Sequence, residues 1–97
     1  MPAYMIAQLV FTDEAHIKEY RERVGPLIRK HGGRQLVGAK PAKKLEGDWD
    51  LPDRAVVLEF PSLEAAQAWY DDPEYAPLIA MRQKETISKL MLVEGVA

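Results

Sequence analysis

Residues 3–11 are almost continuously apolar and stop at Thr12-Asp13, a short run that predicts a β-strand leading into a helix cap. From Glu14 the period changes. Ile17, Tyr20, Val24, Leu27 and Ile28 recur three and four apart, with Lys18, Glu19, Arg21, Glu22 and Arg29 on the other side. That spacing predicts an amphipathic helix, and Gly32-Gly33 ends it, because glycine reaches positive φ at little cost. Arg34 to Ala39 predicts a second strand, interrupted at Lys40-Pro41. Ala42 to Glu46 either extends that strand past a bulge or folds back on it as a short hairpin, and residues 47–53 form a loop. Arg54 to Phe60 is a β-branched, buried third strand. Pro61-Ser62 opens a second helix reaching about Tyr70, with Ser62 as N-cap and Glu64 complementing the helix dipole. Asp72-Pro73 and Pro77 punctuate the next segment, giving a turn and a further helix to about Lys84. Ile87 to Val93 is the last strand.

The predicted order is βαββαβ, with the second crossover broken into two helical pieces. Two such crossovers in a short chain specify a ferredoxin-like α+β sandwich, one antiparallel sheet with its helices on one face. An antiparallel sheet with one solvated face alternates apolar and polar residues. Here both faces are apolar: Tyr4, Ile6 and Val10 oppose Met5, Ala7, Leu9 and Phe11, while Ala55 and Val57 oppose Val56, Leu58 and Phe60. Met91 and Val93 likewise oppose Leu90 and Leu92. The helices cover one face, and a second copy of the chain is the simplest cover for the other.

Length changes the picture only by fixing a single domain over residues 1–97 and by favouring an interface, since a chain this short buries only roughly two thirds of its unfolded surface. The net charge of -2 supplies no overall basic field for a nucleic-acid backbone, so no nucleic-acid partner is expected. The absence of Cys removes disulfides, thiol nucleophiles and thiolate metal sites. No apolar run approaches the roughly 20 residues of a membrane helix, and the N-terminus lacks the pattern of a signal peptide. A soluble, cytoplasmic protein without membrane partners is the expectation.

The stretches Glu19-Tyr20, His31-Gly32-Gly33-Arg34, Leu45-Glu46-Gly47-Asp48-Trp49 and Val57-Leu58-Glu59-Phe60-Pro61-Ser62 carry a resemblance. Ala65-Ala66, Trp69-Tyr70, Pro73-Glu74-Tyr75, Arg82 and Val93-Glu94-Gly95 extend it along nearly the whole chain. Together they resemble the domain-of-unknown-function 1330 family, in the dimeric α/β barrel superfamily; Pro77 departs from the pattern. The resemblance implies a homodimer of ferredoxin-like subunits with sheets packed face to face. It brings no established reaction. Better-known relatives in that superfamily include cofactor-free monooxygenases of polycyclic aromatics, muconolactone isomerase and haem-binding chlorite dismutase-like enzymes, and a shared fold does not transfer their sites.

Candidate chemistry is thin. His31 continues the apolar face of the first helix, where it is a general base, a metal ligand, or a C-terminal histidine that suits the helix dipole and bonds a nearby carbonyl. His16, near the other end, is expected to be exposed, and the spacing of the two does not suit a metal site; no metal and no cofactor are expected. Glu59 shares the strand face of Val57 and is either a desolvated base or half of an ion pair. Arg82 falls on the helical face of Tyr75, Leu78 and Ile79. It either anchors an anion, pairs with a carboxylate such as Glu59 or Glu46, or snorkels to the surface. Arg34 is a second anion candidate. Trp69 and Tyr20 are core residues or pocket walls, and Trp49, in a loop, closes a pocket or an intersubunit contact. Gly25-Pro26 interrupts the first helical pattern, so space for a ligand is sought beside it.

These residues describe a small homodimer holding a small aromatic or anionic molecule between helices and sheet, with catalysis left open between a monooxygenase- or isomerase-like enzyme and a binding or stress-response module. A purely structural dimer is the third reading. A pocket of a few hundred Å³ with His31 or Glu59 inside favours the enzyme, and one lined by arginine and aromatics alone favours the binding module.

Overall fold

A computed structural model describes residues 1–38 and 40–96. The elements follow the order β1 (Ala3–Phe11), α1 (Ile17–Lys30), β2 (Arg34–Val37), β3 (Arg54–Phe60), α2 (Leu63–Asp71), α3 (Ala76–Glu85) and β4 (Thr86–Glu94). The four strands form one antiparallel sheet in the order β2-β3-β1-β4, the ferredoxin-like arrangement. The two central strands are the most apolar, as expected where both edges must pair.

Register fixes the two faces. Met5 lies opposite Leu58 and Leu92, and Ala7 opposite Val56 and Leu90; this row meets the helices. Ile6 lies opposite Val57 and Met91 on the other face, where Val10, Leu36, Val37, Ile87, Met91 and Val93 are exposed. Val56 is therefore the inward residue and Val57 the outward one. Beneath the helices, Met5, Leu58, Phe60, Val24, Leu27, Ile28, Ala66, Trp69, Tyr75 and Leu78 make one core.

Helix ends depart from the sequence pattern in one place. Thr12-Asp13 does not cap α1: the helix begins at Ile17, and the carboxylate of Glu85, 4% exposed, accepts the backbone N–H of His16 at 2.9 and 3.0 Å. A carboxylate at a helix N-terminus satisfies an orphan donor and complements the dipole, so a residue 69 positions away does the capping. At the other end Gly32 takes φ +79°, and Gly33 passes so close to Phe60 that an added Cβ would sit 2.5 Å from its ring. Ser62 caps α2 as expected, accepting the Ala65 N–H at 3.1 Å.

The expected strand or hairpin over Ala42–Glu46 does not form; residues 40–53 run exposed except for Leu51 and Pro52 and join no strand. Pro41 has no N–H to donate, and the β2–β3 register already slips between Gln35 and Val37, so the ladder stops there. Ala39, expected at the end of the second strand, lies outside the described residues. Among the described residues, no helix is long and apolar enough to cross a membrane.

Candidate functional site

Arg82 is the least expected residue of the interior. It lies two helical turns after Tyr75 and one after Leu78, and the tight passage from α3 into β4 holds it from both sides. Thr86 Oγ1 donates to the Arg82 carbonyl at 2.7 Å, and Arg82 Nη1 donates to Ser88 Oγ. The residue is 3% exposed, and among the described residues its Nε–H has no acceptor and no carboxylate pairs with it. The expected ion pair with Glu59 or Glu46 is absent, because Glu59 points to the opposite face of the sheet, where Arg34 Nε reaches it at 2.9 Å and the Tyr4 hydroxyl at 3.1 Å. Snorkelling is excluded by burial. The result is a guanidinium taken out of water without a counter-charge, an expensive arrangement unless something supplies the charge.

The same region holds a cavity of about 100 Å³ between helices and sheet. Met5, Ala7, Val56, Leu58 and Leu90 floor it; α1 contributes Ile17, Tyr20, Arg21, Val24 and Ile28, of which Val24 adjoins Gly25-Pro26. Trp69, Tyr75 and Arg82 complete the inner wall. Trp69 stacks on Tyr75 with ring centroids 4.5 Å apart, and the Tyr20 and Tyr75 hydroxyls are 2.7 Å apart. Burial pushes the pKa of both phenols up, Tyr20's helped by the neighbouring Tyr75; the nearby guanidinium of Arg82 pulls both the other way. Both hydroxyls therefore stay protonated at neutral pH.

A donor count shows what this wall lacks. The Tyr20 and Tyr75 hydroxyls share one hydrogen bond and both lie within bonding reach of the Arg82 guanidinium, which leaves, among the described residues, one O–H hydrogen, the Arg82 Nε–H and the buried Trp69 Nε1–H without an acceptor. The wall is rich in donors and carries positive charge. Its natural complement is an acceptor-rich, anionic group.

Of the residues singled out from sequence, the cavity brings together Tyr20, Trp69 and Arg82. His31, Glu59, Arg34 and Trp49 lie outside its lining. His31 Nε2 is 2.8 Å from Asp72 Oδ2, which Lys30 Nζ also reaches at 3.1 Å, while Asp72 Oδ1 accepts the Glu74 N–H at 2.9 Å. This knot ties the end of α1 to the α2–α3 turn. Glu59 and Arg34 face outward on the sheet, and the Trp49 indole donates to the Glu46 carbonyl at 3.2 Å within its exposed loop. Tyr75, Gln35, Arg21 and Arg54 are not marked as site residues by the sequence pattern and do line the cavity. Tyr75's place seven before Arg82 is a usable signal, obscured by Asp72-Pro73. Among the described residues no cluster of His, Asp or Glu is arranged to hold a metal ion.

The Asp72 knot makes a pH prediction. His31 first, then the Glu74 N–H and Lys30, hold the Asp72 carboxyl down at about 2, below the roughly 3.9 of an unfolded chain. A depressed folded value stabilises the fold above the unfolded one and loses that contribution as pH falls toward about 2. Asp72→Asn is expected to flatten the acid side of the stability curve between those limits, read by urea unfolding at stepped pH.

Solved structures share this architecture. A protein of unknown function from Rhodopseudomonas palustris matches with TM-score 0.82 at 19% identity, over 99% of this chain and 83% of its own. SnoaB, a cofactor-independent oxygenase from Streptomyces nogalater, matches with TM-score 0.63 at 12% identity, over 99% and 94%. A dimeric ferredoxin-like protein of unknown function from Jannaschia sp. matches with TM-score 0.66 at 12% identity, over 98% and 100%. At these identities the likeness is one of fold. No curated protein matches the chain in sequence. The family model described as Domain of unknown function (DUF1330) matches residues 2–96, all but the two ends, and the chain belongs to that family.

Proposed function

We propose that this protein is a homodimer whose subunits each hold a small aromatic or anionic molecule between helices and sheet, with Arg82 as the anchor of its charged group. The observation that carries this reading is the buried guanidinium without a carboxylate in the wall of a cavity. Tyr20 and Tyr75 would add a hydroxyl donor, and Trp69 a flat wall. The cavity is smaller than the roughly 150 Å³ that takes up benzene in an apolar protein core, so it excludes a polycyclic body and takes a single ring only by extending into its open side. Dimerisation is supported by the uncovered row Val57, Ile6 and Met91 on the outer sheet face, and by the dimeric state named for the Jannaschia relative.

An enzymatic reading has one observation in its favour, the fold shared with a cofactor-independent oxygenase. Against a base-catalysed reaction stands the lining itself, which includes no Asp, Glu or His among the described residues. Binding is the reading the geometry supports better.

The test is thermal unfolding at fixed protein concentration with benzoate, against chloride at matched ionic strength and against benzamide, a neutral isostere that presents donors to donors. A ligand that binds only the folded state stabilises it by about 2.7 kcal/mol at a hundred times its Kd. Benzoate is expected to raise the Tm in a saturating manner and benzamide to leave it unchanged. No stabilisation by any aromatic carboxylate contradicts the reading.

A further inference from the structure

Charge is unevenly divided between this cavity and the rest of the molecule. The chain has 15 acidic residues and 13 lysines and arginines, yet the lining holds three arginines and, among the described residues, no acid. Arg82 is only one of the three. Arg54 stands on the inward face of β3, opposite Leu9 in register, and its guanidinium lies 5.7 Å from the centre of the Phe11 ring. Its hydrogen bond goes to the backbone carbonyl of Asp53, not to a carboxylate; the Asp53 side chain is taken by the Phe11 N–H. Arg21 comes from α1, one residue after Tyr20, and is exposed. Gln35 of β2, whose amide donates to the Val37 carbonyl, lines the same region.

Arg82 is thus buried, whereas Arg54 is partly buried and Arg21 exposed. Ser88, to which Arg82 donates, and Arg54 lie opposite Leu9 on its two sides, so the buried and the accessible charge flank one apolar row of the sheet. No acid of the lining, among the described residues, offsets these charges, and a bound anion would. Arginine is also the residue whose planar fork matches a carboxylate in two hydrogen bonds.

From this placement we propose that the ligand is a two-ended acid: a single-ring body with one oxyanion on Arg82 and a second anionic group read at the mouth by Arg21 and Arg54. This rests on the proposed pocket at Arg82 and narrows its ligand class. The inner anion supplies the missing counter-charge, and the outer one selects diacids over monoacids of the same ring.

Isothermal titration with benzoate, 1,4-benzenedicarboxylate and 1,4-phenylenediacetate tests it, on the wild-type protein and on the Arg21→Gln/Arg54→Gln double variant. Charge-assisted bonds at the mouth are expected to make at least one diacid about tenfold or more tighter than benzoate in the wild type. In the double variant that advantage is expected to vanish, the diacids binding no tighter than benzoate does to the same variant, and an unchanged thermal unfolding transition reports that the subunit is folded. Equal binding of monoacid and diacids in the wild type overturns the second anion site and leaves the pocket reading standing. So does a diacid advantage that survives in the double variant. Binding of none of the three overturns both.

Discussion

Arg82→Met is expected to make the ligand-free protein more stable and to remove its response to benzoate. Methionine fills a similar volume and takes the uncompensated charge out of the interior, offsetting the lost bond to Ser88 and to the polar neighbours. Replacing a whole buried ion pair by apolar residues is often neutral or stabilising by about 1–4 kcal/mol, a charge without a partner has less attraction to lose, and for a domain of this size each kcal/mol moves Tm by roughly 4–8 °C. A structural arginine behaves the opposite way. Had Arg82 been half of a buried ion pair, breaking it would cost about 3–5 kcal/mol, because a carboxylate would be left unpaired. Stability and binding changing in opposite directions is therefore the signature of a residue kept for a ligand. It is read by thermal unfolding of both proteins at one concentration, with and without benzoate.

Val57→Lys is expected to abolish the dimer. Val57 sits beside Ile6 in the middle of the outer sheet face, with Met91 beyond, so symmetry would bring the new charge into a dry contact together with its copy. A stable interface buries roughly 1,600 Å² in total, and a sheet-on-sheet contact places this row near its centre. Mass-resolved chromatography at micromolar concentration should give about twice the chain mass of 11.0 kDa for the wild type. The variant should elute as a monomer or unfold. The equivalent change at Val56, which faces the helices, should instead destabilise the subunit itself. A wild-type monomer, or an undisturbed Val57→Lys dimer, contradicts the proposed interface.

Most of the fold was legible because it rests on local pattern. The almost continuously apolar run of residues 3–11 and the β-branched run of 54–60 became the two central strands with those bounds. Ile17, Val24, Leu27 and Ile28 became the buried face of α1, and Gly32 its end. Where the reading failed, the deciding partner was distant. The start of α1 depends on Glu85, which no local motif could announce. The expected strand or hairpin over Ala42–Glu46 did not form, since Pro41 has no N–H to donate and β2 is short and bulged.

The site divides the same way. The position of Arg82 on an apolar helical face could be read from its spacing to Tyr75 and Leu78. Its lack of a carboxylate could not, because that follows from Glu59 facing away from the helices and facing Arg34 across the β2–β3 register. Alternation placed Glu59 with Val57 correctly, yet which of the two faces met the helices needed the sheet to be built. Arg54 is the reverse case: the first residue of a strand, with nothing in its neighbours to mark it, becomes a pocket residue once β1 and β3 pair. His31 resolved into a tie between α1 and the α2–α3 turn because Asp72 lies against it, a contact across 41 residues.

The most direct test of the pocket is the arginine side-chain N–H spectrum, in which the buried Arg82 Nε–H gives its own resonance, assigned by its loss in Arg82→Met. On titration with benzoate that resonance is expected to move downfield and to saturate together with the Trp69 indole N–H, as a carboxylate takes up the unfilled donor. An Arg82 resonance that stays in place while benzoate perturbs only surface residues would contradict a ligand site at Arg82.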